Sequence, residues 1–260
     1  MSVITLTTDF GAGDWSVGTM KGVIACVAPK ATIIDLTHDV PPGDIRGGAF
    51  ALAASCRFFP EGTVHVAVVD PGVGSRRKAI AVQTASGVFV GPDNGVLSWA
   101  LVNEKAKAVH ALENEAYFLK PVSQTFHGRD VFAPVAAHLS RGVPIKKFGP
   151  ALKDFVRLDW PEPRRQRGGV EGEVVYIDCF GNAITNIASE LLRGAAMASC
   201  EVFAKRHRIC PLRTFYQSVP QKTPVALAGS SGFLEIAVNG GSAGKLLGVR
   251  IGTRVVLRMN

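Results

Sequence analysis

Strand-like and helix-like segments alternate over the first part of the chain, and this alternation limits the fold more than any other feature. VITLTTD, ATIIDLT and VHVAVV have the pattern of strands, and helical patterns between them run from about Asp14 to Val27 and from about Gly43 to Phe58. Strands separated by helices predict βαβ units, and therefore an α/β domain with a mostly parallel sheet flanked by helices. Two more strands, AIAVQ and GVFVG, precede a short helix near Val96 to Val102 and a longer one from His127 through Leu139.

The pattern changes near Asp159. The stretch DWPEPRRQRGG is rich in proline, glycine and charge, which is typical of a linker. Short strand patterns (EGEVVYID, SCEVFAK, TPVALAG, GFLEIAVN and TRVVLRM) follow with little helix between them, which predicts a small barrel-like β domain. We therefore expect an α/β domain over residues 1–158, a linker over 159–170 and a β domain over 171–260.

The composition is that of an ordinary globular protein. A chain of 260 residues with 47% hydrophobic content can fill a sizeable core. The apolar runs are short, and the first residues pass straight into a strand without a basic and apolar leader, so we expect a cytoplasmic protein with no membrane segment. The five cysteines are scattered without C-x-x-C spacing, and we expect them to be reduced and mostly buried.

The net charge of +8 raises the question of a nucleic-acid partner. The densest basic clusters are RRQR at residues 164–167 and KRHR at residues 205–208. Neither cluster is interleaved with aromatic residues or set in a known nucleic-acid-binding module. We therefore interpret both as solvated surface or linker and expect no nucleic-acid partner.

The segment VVDPGVGSRR places Asp70 at the carboxyl end of a strand that is apolar on both faces. The connector PGVGS contains one proline and two glycines, so it is expected to turn tightly and bring Arg76 or Arg77 back towards Asp70. Such a pair is either a structural ion pair at a turn or a positioned acid and base at the mouth of a parallel sheet, where open α/β folds bind ligands.

The first turn, TTDFGAGDWS, partly matches a dinucleotide-binding motif. A G-x-G turn joins a strand to a helix, and Asp35 ends the next strand, where a ribose-binding acid would lie. The third glycine position is Ser16, however, and Asp9 and Asp14 would repel a pyrophosphate. The two carboxylates suit a ligand with hydroxyl groups and positive charge, unless Asp14 is an ordinary helix cap and Asp9 a turn residue.

Two histidines are candidates for a site. His127 in QTFHGRD has the more site-like setting, because an aromatic residue precedes it, a glycine follows it and a helix begins just beyond. His38, in THDVPP, is the second candidate. Together with Asp39 and Asp70 it is a conceivable metal ligand, but no H-x-x-x-H or similar spacing accompanies these residues, so we expect no metal site.

The segment IDCFGNAITNI contains Asp178, Phe180, Asn182 and Asn186 in a bend with a glycine. An asparagine side chain donates and accepts at once, as recognition of an adenine edge requires, and a phenylalanine ring stacks on a base. The alternative is an ordinary hairpin turn.

Seven segments occur in a recognisable order: TTDFGAGDWSVG, DLTHDVPPGDI, VVDPGVGSRR, GPDNG, TFHGRDVFAPVAAHL, IDCFGNAITNI and GSSGFLEIAVN. With them the chain resembles the S-adenosylmethionine hydroxide adenosyltransferases, adenosine-forming hydrolases related to the fluorinase and chlorinase. The resemblance covers nearly the whole length. It implies a homotrimer of two-domain subunits, with substrate bound where one subunit's amino-terminal domain meets a neighbour's carboxy-terminal domain, and no cofactor besides the substrate.

The resemblance also implies roles for individual residues. The family's Asp, Arg and His triad falls on Asp70, Arg77 and His127, which would face an attacking water. The other implied contacts are Asp9 at the ribose hydroxyls, Asp14 and Ser16 around the methionine and ribose side, Phe126 lining the pocket, Asp178 and Ser230 at the methionine end, Phe180, Asn182 and the backbone near Val238 at the adenine, and Glu235.

Differences from the halogenating branch indicate the nucleophile. Asp70 replaces that branch's tyrosine, and His127 is followed by Gly128, where the fluorinase has a halide-contacting serine. Gly128 alone would not exclude a chlorinase, but Asp70 and His127 together favour water. The resemblance therefore implies hydrolysis of S-adenosyl-L-methionine to adenosine and L-methionine by attack of water at the ribose 5′ carbon. The alternatives are halide-dependent adenosyl transfer, a dinucleotide oxidoreductase, and a non-catalytic regulatory module that binds S-adenosylmethionine or adenosine.

Overall fold

The computed structural model describes residues 2–102, 104–192, 200–205 and 207–259. The chain divides into two compact units, unit 1 up to Asp159 and unit 2 from Trp160 onwards. Each unit has its own hydrophobic core.

Unit 1 is built on a six-stranded sheet with the order β2-β1-β3-β5-β4-β6. Its strands are β1 Val3–Thr8, β2 Thr32–Thr37, β3 Thr63–Val68, β4 Ala79–Gln83, β5 Gly87–Pro92 and β6 Ala108–Ala111. The pairs β1–β2, β1–β3 and β3–β5 are parallel, which confirms the α/β class with a mostly parallel sheet. Strand β4 is antiparallel to β5 and to β6, because the connection from β4 to β5 is a short hairpin rather than a crossover.

Helices cover both faces of this sheet. They are α1 Trp15–Val27, α2 Ile45–Cys56 and α3 Ala133–Ser140. On one face α1 and α3 pack with alternate residues of β3, among them Val64 and Val66, around the fully buried ring of Phe132. On the other face Leu52 of α2 packs with Ala67. Because alternate residues of a strand point to opposite sides, β3 is buried on both faces and is apolar except for Thr63 and His65.

Two helical predictions for unit 1 differ in detail from the structure. The predicted helix from His127 to Leu139 begins as a π-helix, Gly128–Phe132, and continues as α3. The helix predicted near residues 96–102 is a single 3-10 turn, Trp99–Leu101. π-Helical turns are rare in proteins, but those that occur are often found at functional sites, where they change the direction of side chains.

Unit 2 is a barrel-like β domain, as predicted. Its strands are β7 Arg164–Gln166, β8 Gly169–Ile177, β9 Ala183–Ala188, β10 Cys200–Ala204, β11 His207–Arg213, β12 Pro224–Ala228, β13 Phe233–Val238 and β14 Arg254–Met259. They are ordered β14-β10-β11-β12-β13-β9-β8-β7, and an additional pairing between β14 and β8 closes the sheet on itself. The short helix α4, Ala243–Leu246, contributes Ala243 to the enclosed core.

The segment proposed as a linker contains strand β7, which pairs with β8. Residues 164–167, the first basic cluster, are exposed, as expected for a solvated surface. In the second cluster Lys205 and Arg208 are exposed, and Arg206 lies outside the described residues. No helix within the described ranges is both long enough and apolar enough to cross a membrane.

The cysteines only partly match the expectation. Cys26, Cys56, Cys179 and Cys200 are free thiols. Cys200 is buried and Cys56 half-buried, but Cys26 and Cys179 are exposed, so the prediction that most are buried is wrong for these two. The side chain of Cys210 lies outside the described part of the chain.

His65 of β3 provides a test of the packing of unit 1. The side chain is 3% exposed, its Nδ1 atom lies 2.8 Å from the Thr5 hydroxyl, and its ring stacks on Phe89 at 5.0 Å. Burial lowers the pKa of His65 from 6.5 to about 4. Below pH 6.5 the unfolded chain therefore takes up the proton before the folded chain does. We expect acidification from pH 6.5 to 4 to lower the free energy of unfolding, with this histidine contributing roughly 3 kcal/mol.

Urea unfolding at pH 7 and pH 4.5 measures this contribution. His65→Phe removes the titrating group while keeping an aromatic ring in the stack, so the variant is expected to lose less stability on acidification than the wild type. An equal loss in both proteins would contradict the assignment.

Candidate active site

Polar residues of unit 1 collect where the parallel strands end. Asp9 follows β1, Asp70 follows β3 by two residues, and His38 follows β2. Strands β2 and β3 lie on opposite sides of β1, so the connections change direction between β1 and β3. The crevice between the carboxyl ends of these two strands is therefore a topological switch point, where open α/β folds bind ligands. Asp9 is held there by the backbone N–H of Gly43, which donates to its Oδ2 at 2.8 Å.

Asp70 and Arg77 form a nearly buried, two-pronged ion pair. The Arg77 Nε donates to both carboxylate oxygens of Asp70 at 3.0 and 2.9 Å, and its Nη2 also donates to Oδ2. The Asp70 side chain is 4% exposed and the Arg77 side chain is 11% exposed. Of the two arginines that the sequence offered, the structure therefore brings Arg77 to the carboxylate, while Arg76 is exposed.

The turn between these residues depends on Gly74. Its φ of +75° is strained for any residue with a side chain, and a Cβ there would lie 2.2 Å from the carbonyl oxygen of Gln124. This close approach packs the Asp70–Arg77 turn against the loop that precedes His127. The glycine turn therefore brings two distant parts of unit 1 together.

His127 completes the chain of contacts. Its Nδ1 lies 2.7 Å from the Nη2 of Arg77. A guanidinium only donates, so Nδ1 must be the acceptor, and the neutral imidazole carries its proton on Nε2. Burial lowers the pKa of His127, and the positive charge of Arg77 lowers it further, against the opposing charges of Asp70 and Asp130.

Aromatic rings cluster around Phe126, the residue that precedes His127. Phe126 makes edge contacts with Phe10 and Trp15, each with 5.7 Å between ring centroids, and the guanidinium of Arg129 lies 5.2 Å from its centroid. Trp15 is exposed at the start of α1, directly after the exposed Asp14, whose carboxylate accepts from the Trp15 N–H. Ser16, on the first turn of α1, is half-buried.

In unit 2 the bend between β8 and β9 is organised by Asp178. Its Oδ1 accepts from the backbone N–H groups of Phe180 and Asn182, and its Oδ2 accepts from the Asn182 side chain at 2.9 Å. Phe180 is 74% exposed. Asn186 lies in β9, where its Oδ1 accepts from the N–H of Glu173, so its role is within the barrel. The bend is thus a hairpin turn that also presents an exposed aromatic ring.

The remaining predicted residues lie on or beside β13. Ser230 is exposed in the turn between β12 and β13, whereas Glu235 and Val238 are buried in β13. Glu235 accepts a hydrogen bond from Tyr216 at 2.7 Å. The sequence analysis missed Tyr216, because nothing in the local pattern of its segment distinguishes it from an ordinary surface tyrosine.

The sequence alternatives for unit 1 can now be compared with the geometry. Asp35, the candidate ribose ligand of a dinucleotide site, is paired instead with Lys21 at 2.5 Å and with His38 at 3.0 Å. His38 also contacts the hydroxyl of Thr8 through Nδ1 at 2.8 Å. Among the residues described, no group of three or more His, Cys, Asp or Glu side chains is placed to hold a metal ion.

Comparison with known proteins identifies the family. The amino-terminal domain of the SAM hydroxide adenosyltransferases matches residues 4–149, and their carboxy-terminal domain matches residues 172–256. The chain belongs to the SAM hydroxide adenosyltransferase family. It is 41% identical over 255 residues to a protein of Salinispora tropica named (R)-S-adenosyl-L-methionine hydrolase, covering 97% of this chain and 96% of that protein.

Two further comparisons place the chain within the wider group. A fluorinase of an Actinoplanes species is 31% identical over 71% of each chain. The crystal structure of an uncharacterized conserved protein from Thermotoga maritima superimposes with a TM-score of 0.91 and 37% identity, covering 98% of this chain and 99% of that one. The fold of this chain therefore agrees with that of a solved structure over nearly its whole length.

The arrangement around His127 predicts a specific titration. The pKa of His127 should lie below 6.5 and should rise in Arg77→Met, because the neighbouring positive charge is lost while the Asp70 carboxylate stays. Nitrogen-15 NMR of the imidazoles measures the pKa and also shows which nitrogen carries the proton, which we expect to be Nε2.

His138 is the internal control for this titration, because burial also lowers its pKa but it has no contact with Arg77. Its titration should be unchanged in Arg77→Met. An unchanged pKa for His127, or a neutral form protonated on Nδ1, would contradict the hydrogen bond from Arg77.

Proposed function

We propose that this protein hydrolyses S-adenosyl-L-methionine to adenosine and L-methionine. The observation that carries the proposal is the Asp70–Arg77–His127 cluster at the mouth of the parallel sheet, in a chain that belongs to this family. The relatives named (R)-S-adenosyl-L-methionine hydrolase are also closer in sequence than the fluorinases. By extension from those names, we propose that the (R) epimer at sulfur is the preferred substrate.

The hydrogen bonds within the cluster suggest how the work is divided. In the neutral tautomer described above, Nε2–H of His127 is a donor that orients the oxygen of the attacking water. The Asp70 oxygens each accept from Arg77 and keep further lone pairs, so Asp70 is our candidate for accepting the water proton. Arg77 stabilises the negative charge that develops as the oxygen gains hydroxide character.

The reaction balances without a cofactor. Water forms the new bond to the ribose 5′ carbon, the carbon–sulfur bond breaks, and its electron pair stays on sulfur, which leaves as the neutral thioether of methionine. One proton is released from the water through Asp70 to solvent. A sulfonium needs no protonation to leave, so the protein has only to desolvate, orient and deprotonate the nucleophile.

Asp70 and His127 together favour water over halide, whereas Gly128 bears only on the serine of the fluorinase. A Cβ at Gly128 would lie 3.1 Å from the Phe126 ring and 3.2 Å from the sulfur of Met20. A serine like that of the fluorinase would therefore require a small shift of these neighbours, but a glycine here does not exclude a chlorinase. Halide-dependent transfer remains the second candidate because the fluorinases are relatives, and it is separated from hydrolysis by the product formed.

Both units contribute to the proposed substrate site. The contacts that we assign are Asp9, Asp14, Ser16 and Phe126 from unit 1, and Asp178, Phe180, Asn182, Ser230, Glu235 and Val238 from unit 2. We propose a homotrimer in which unit 1 of one subunit and unit 2 of its neighbour complete each site, and we propose that the protein acts in the cytoplasm. No nucleic-acid or membrane partner forms part of this proposal.

Product analysis in chloride-free buffer with ¹⁸O-water tests the reaction. We expect adenosine that carries the heavy oxygen, together with methionine, because water attacks the 5′ carbon. A halogenated nucleoside formed only on addition of halide would assign the protein to the halogenating branch. Binding of S-adenosylmethionine without any product would favour a regulatory module.

Two neighbouring arginines give a matched pair of variants for the same assay. Arg77→Ala should lower kcat by about 10²- to 10⁴-fold, since it removes the group that fixes both the acid and the imidazole. Arg76→Ala is the control, because Arg76 is exposed on the same turn, and it should keep normal turnover. Equal activity of both variants would refute the role given to the cluster.

Mixing inactive variants tests the shared site. Asp70→Ala disables unit 1 of a subunit and Asp178→Ala disables unit 2, so each variant alone should be inactive. If sites combine units from two subunits, random mixed trimers recover about a quarter of the sites. No recovery in trimers shown to be mixed, or a mass other than that of a trimer by light scattering, would contradict this arrangement.

A further inference from the structure

Asp130 is a completely buried acid that has no part in the proposed reaction so far. It lies in the π-helix Gly128–Phe132, three residues beyond His127, and its side chain is 0% exposed. Arg129 donates to both of its carboxylate oxygens, from Nε at 2.6 Å and from Nη2 at 3.0 Å. A buried carboxylate is costly unless it is paired and hydrogen-bonded, so the remaining contacts of Asp130 indicate its role.

Those contacts connect Asp130 with the loop of residues 119–125, which precedes His127. The backbone N–H of Ser123 donates to Oδ2 of Asp130 at 2.8 Å. The backbone carbonyl of Asp130 accepts from the N–H of Leu119 at 2.9 Å. The side chain and the backbone of this one residue therefore join the segment before the histidine to the helical turn after it.

The loop and the turn differ in how far they are buried. The π-helix ends at Phe132, whose ring is fully buried in the core of unit 1. In the loop of residues 119–125 only Val122 and Ser123 are half-buried, and the other residues are exposed. Polar contacts therefore matter more for the position of the loop, and Asp130 supplies two of them from a buried turn.

The position of this loop affects the contact between His127 and Arg77. The carbonyl oxygen of Gln124 would lie only 2.2 Å from a Cβ at Gly74, so the loop packs directly against the Asp70–Arg77 turn. Beyond the loop, Nδ1 of His127 lies 2.7 Å from Nη2 of Arg77. A shift of the loop would disturb this hydrogen bond, and hydrogen bonds weaken steeply when their geometry is poor.

Asp130 also acts on His127 through its charge. Burial and the charge of Arg77 lower the pKa of His127, whereas the charges of Asp70 and Asp130 raise it. In the described part of the chain, the charges that act on the imidazole are thus Arg77 and Asp70, from the turn after β3, and Asp130, from the π-helix. A variant that lacks the Asp130 charge but keeps the loop in place should therefore have a lower pKa at His127.

We propose that Asp130 is a positioning residue for the hydrolysis: it holds the loop of residues 119–125 on the π-helix, so that Nδ1 of His127 keeps its contact with Arg77. In this role Asp130 acts through the histidine and takes no proton itself. The inference rests on the proposed function, because it assumes that the Nε2–H of His127 orients the attacking water.

Two substitutions separate the contact made by Asp130 from its charge. Asp130→Ala removes both, and we expect kcat for S-adenosylmethionine to fall by about 10- to 100-fold, because a small misplacement of an orienting group is enough for such a loss. Asp130→Asn keeps an amide oxygen that can accept from the Ser123 N–H, so it should restore most of kcat.

Nitrogen-15 NMR of His127 provides a readout that a merely structural role would not change. In Asp130→Asn the pKa of His127 should fall, and the neutral ring should keep its proton on Nε2. In Asp130→Ala the contact with Arg77 is loosened, so both tautomers should be populated. His138 should titrate unchanged in both variants, because burial and Arg141, not Asp130, lower its pKa.

Ser123→Ala is the matched control. It removes the hydroxyl, which contacts the Thr125 hydroxyl at 3.1 Å, but keeps the backbone N–H that donates to Asp130. This variant should show normal kcat and a normal titration of His127. If Asp130→Ala does not fold, as judged by circular dichroism, Asp130→Leu replaces it, because leucine has the branched shape of aspartate but no acceptor.

Three results would overturn the positioning role. They are normal turnover of a folded variant without the acceptor, a kcat of Asp130→Asn as low as that of Asp130→Ala, and an unchanged titration and tautomer of His127 in both variants. A wild type that does not hydrolyse S-adenosylmethionine would instead count against the proposed function. The NMR measurements would still report the effect of Asp130 on His127, so the two failures are distinguishable.

Discussion

Arg77 is the group on which the arrangement of the candidate site depends. Its guanidinium donates to both oxygens of Asp70 and to Nδ1 of His127, and it lies 5.4 Å from the centroid of the Phe132 ring. A guanidinium neither accepts hydrogen bonds nor loses its proton at working pH, so it favours a charged carboxylate and a neutral imidazole at the same time. Beside this one cation, Asp70 is a hydrogen-bond acceptor and His127 is a hydrogen-bond donor through Nε2.

The backbone of unit 1 supplies the conditions for this contact. Parallel pairing brings the ends of β1 and β3 side by side, and the switch in strand order between them leaves a crevice rather than a packed surface. The turn at Gly74 then approaches Gln124 so closely that no side chain fits between them. The position of His127 relative to Asp70 is therefore set by the strand order and by one glycine, which is why residues far apart in sequence meet at hydrogen-bonding distance.

Charge is distributed in a way that suits the proposed substrate. The chain as a whole carries a net charge of +8, yet the residues assigned to substrate contacts include Asp9 and Asp14 in unit 1 and Asp178 and Glu235 in unit 2. S-Adenosylmethionine has a sulfonium and an ammonium but no phosphate, so acidic contacts stabilise it and would disfavour a nucleotide phosphate. Residues 164–167, the first basic cluster, are exposed and are not among these assigned contacts.

Much of the fold follows from local patterns that the sequence displays directly. A continuous apolar run predicted β3, and strand-like patterns predicted β1 and β4, because burial on one or two faces determines which residues along a strand are apolar. The change in composition near Asp159 separated the α/β part from the β part. Asp70, in the turn after β3, could also be identified from the local sequence. These features depend on neighbours in the chain, so they could be predicted without knowing the fold.

Other features were decided only by contacts between distant segments. The local pattern of the turn left Arg76 and Arg77 as equal partners for Asp70, and only the family resemblance pointed to Arg77. In the structure Arg77 contacts the carboxylate while Arg76 is exposed. The closure of β14 on β8 and the hydrogen bond from Tyr216 to Glu235 likewise carry no local signature. Strand partners and side-chain contacts are selected by packing across the whole domain, and that packing exists only once the chain has folded.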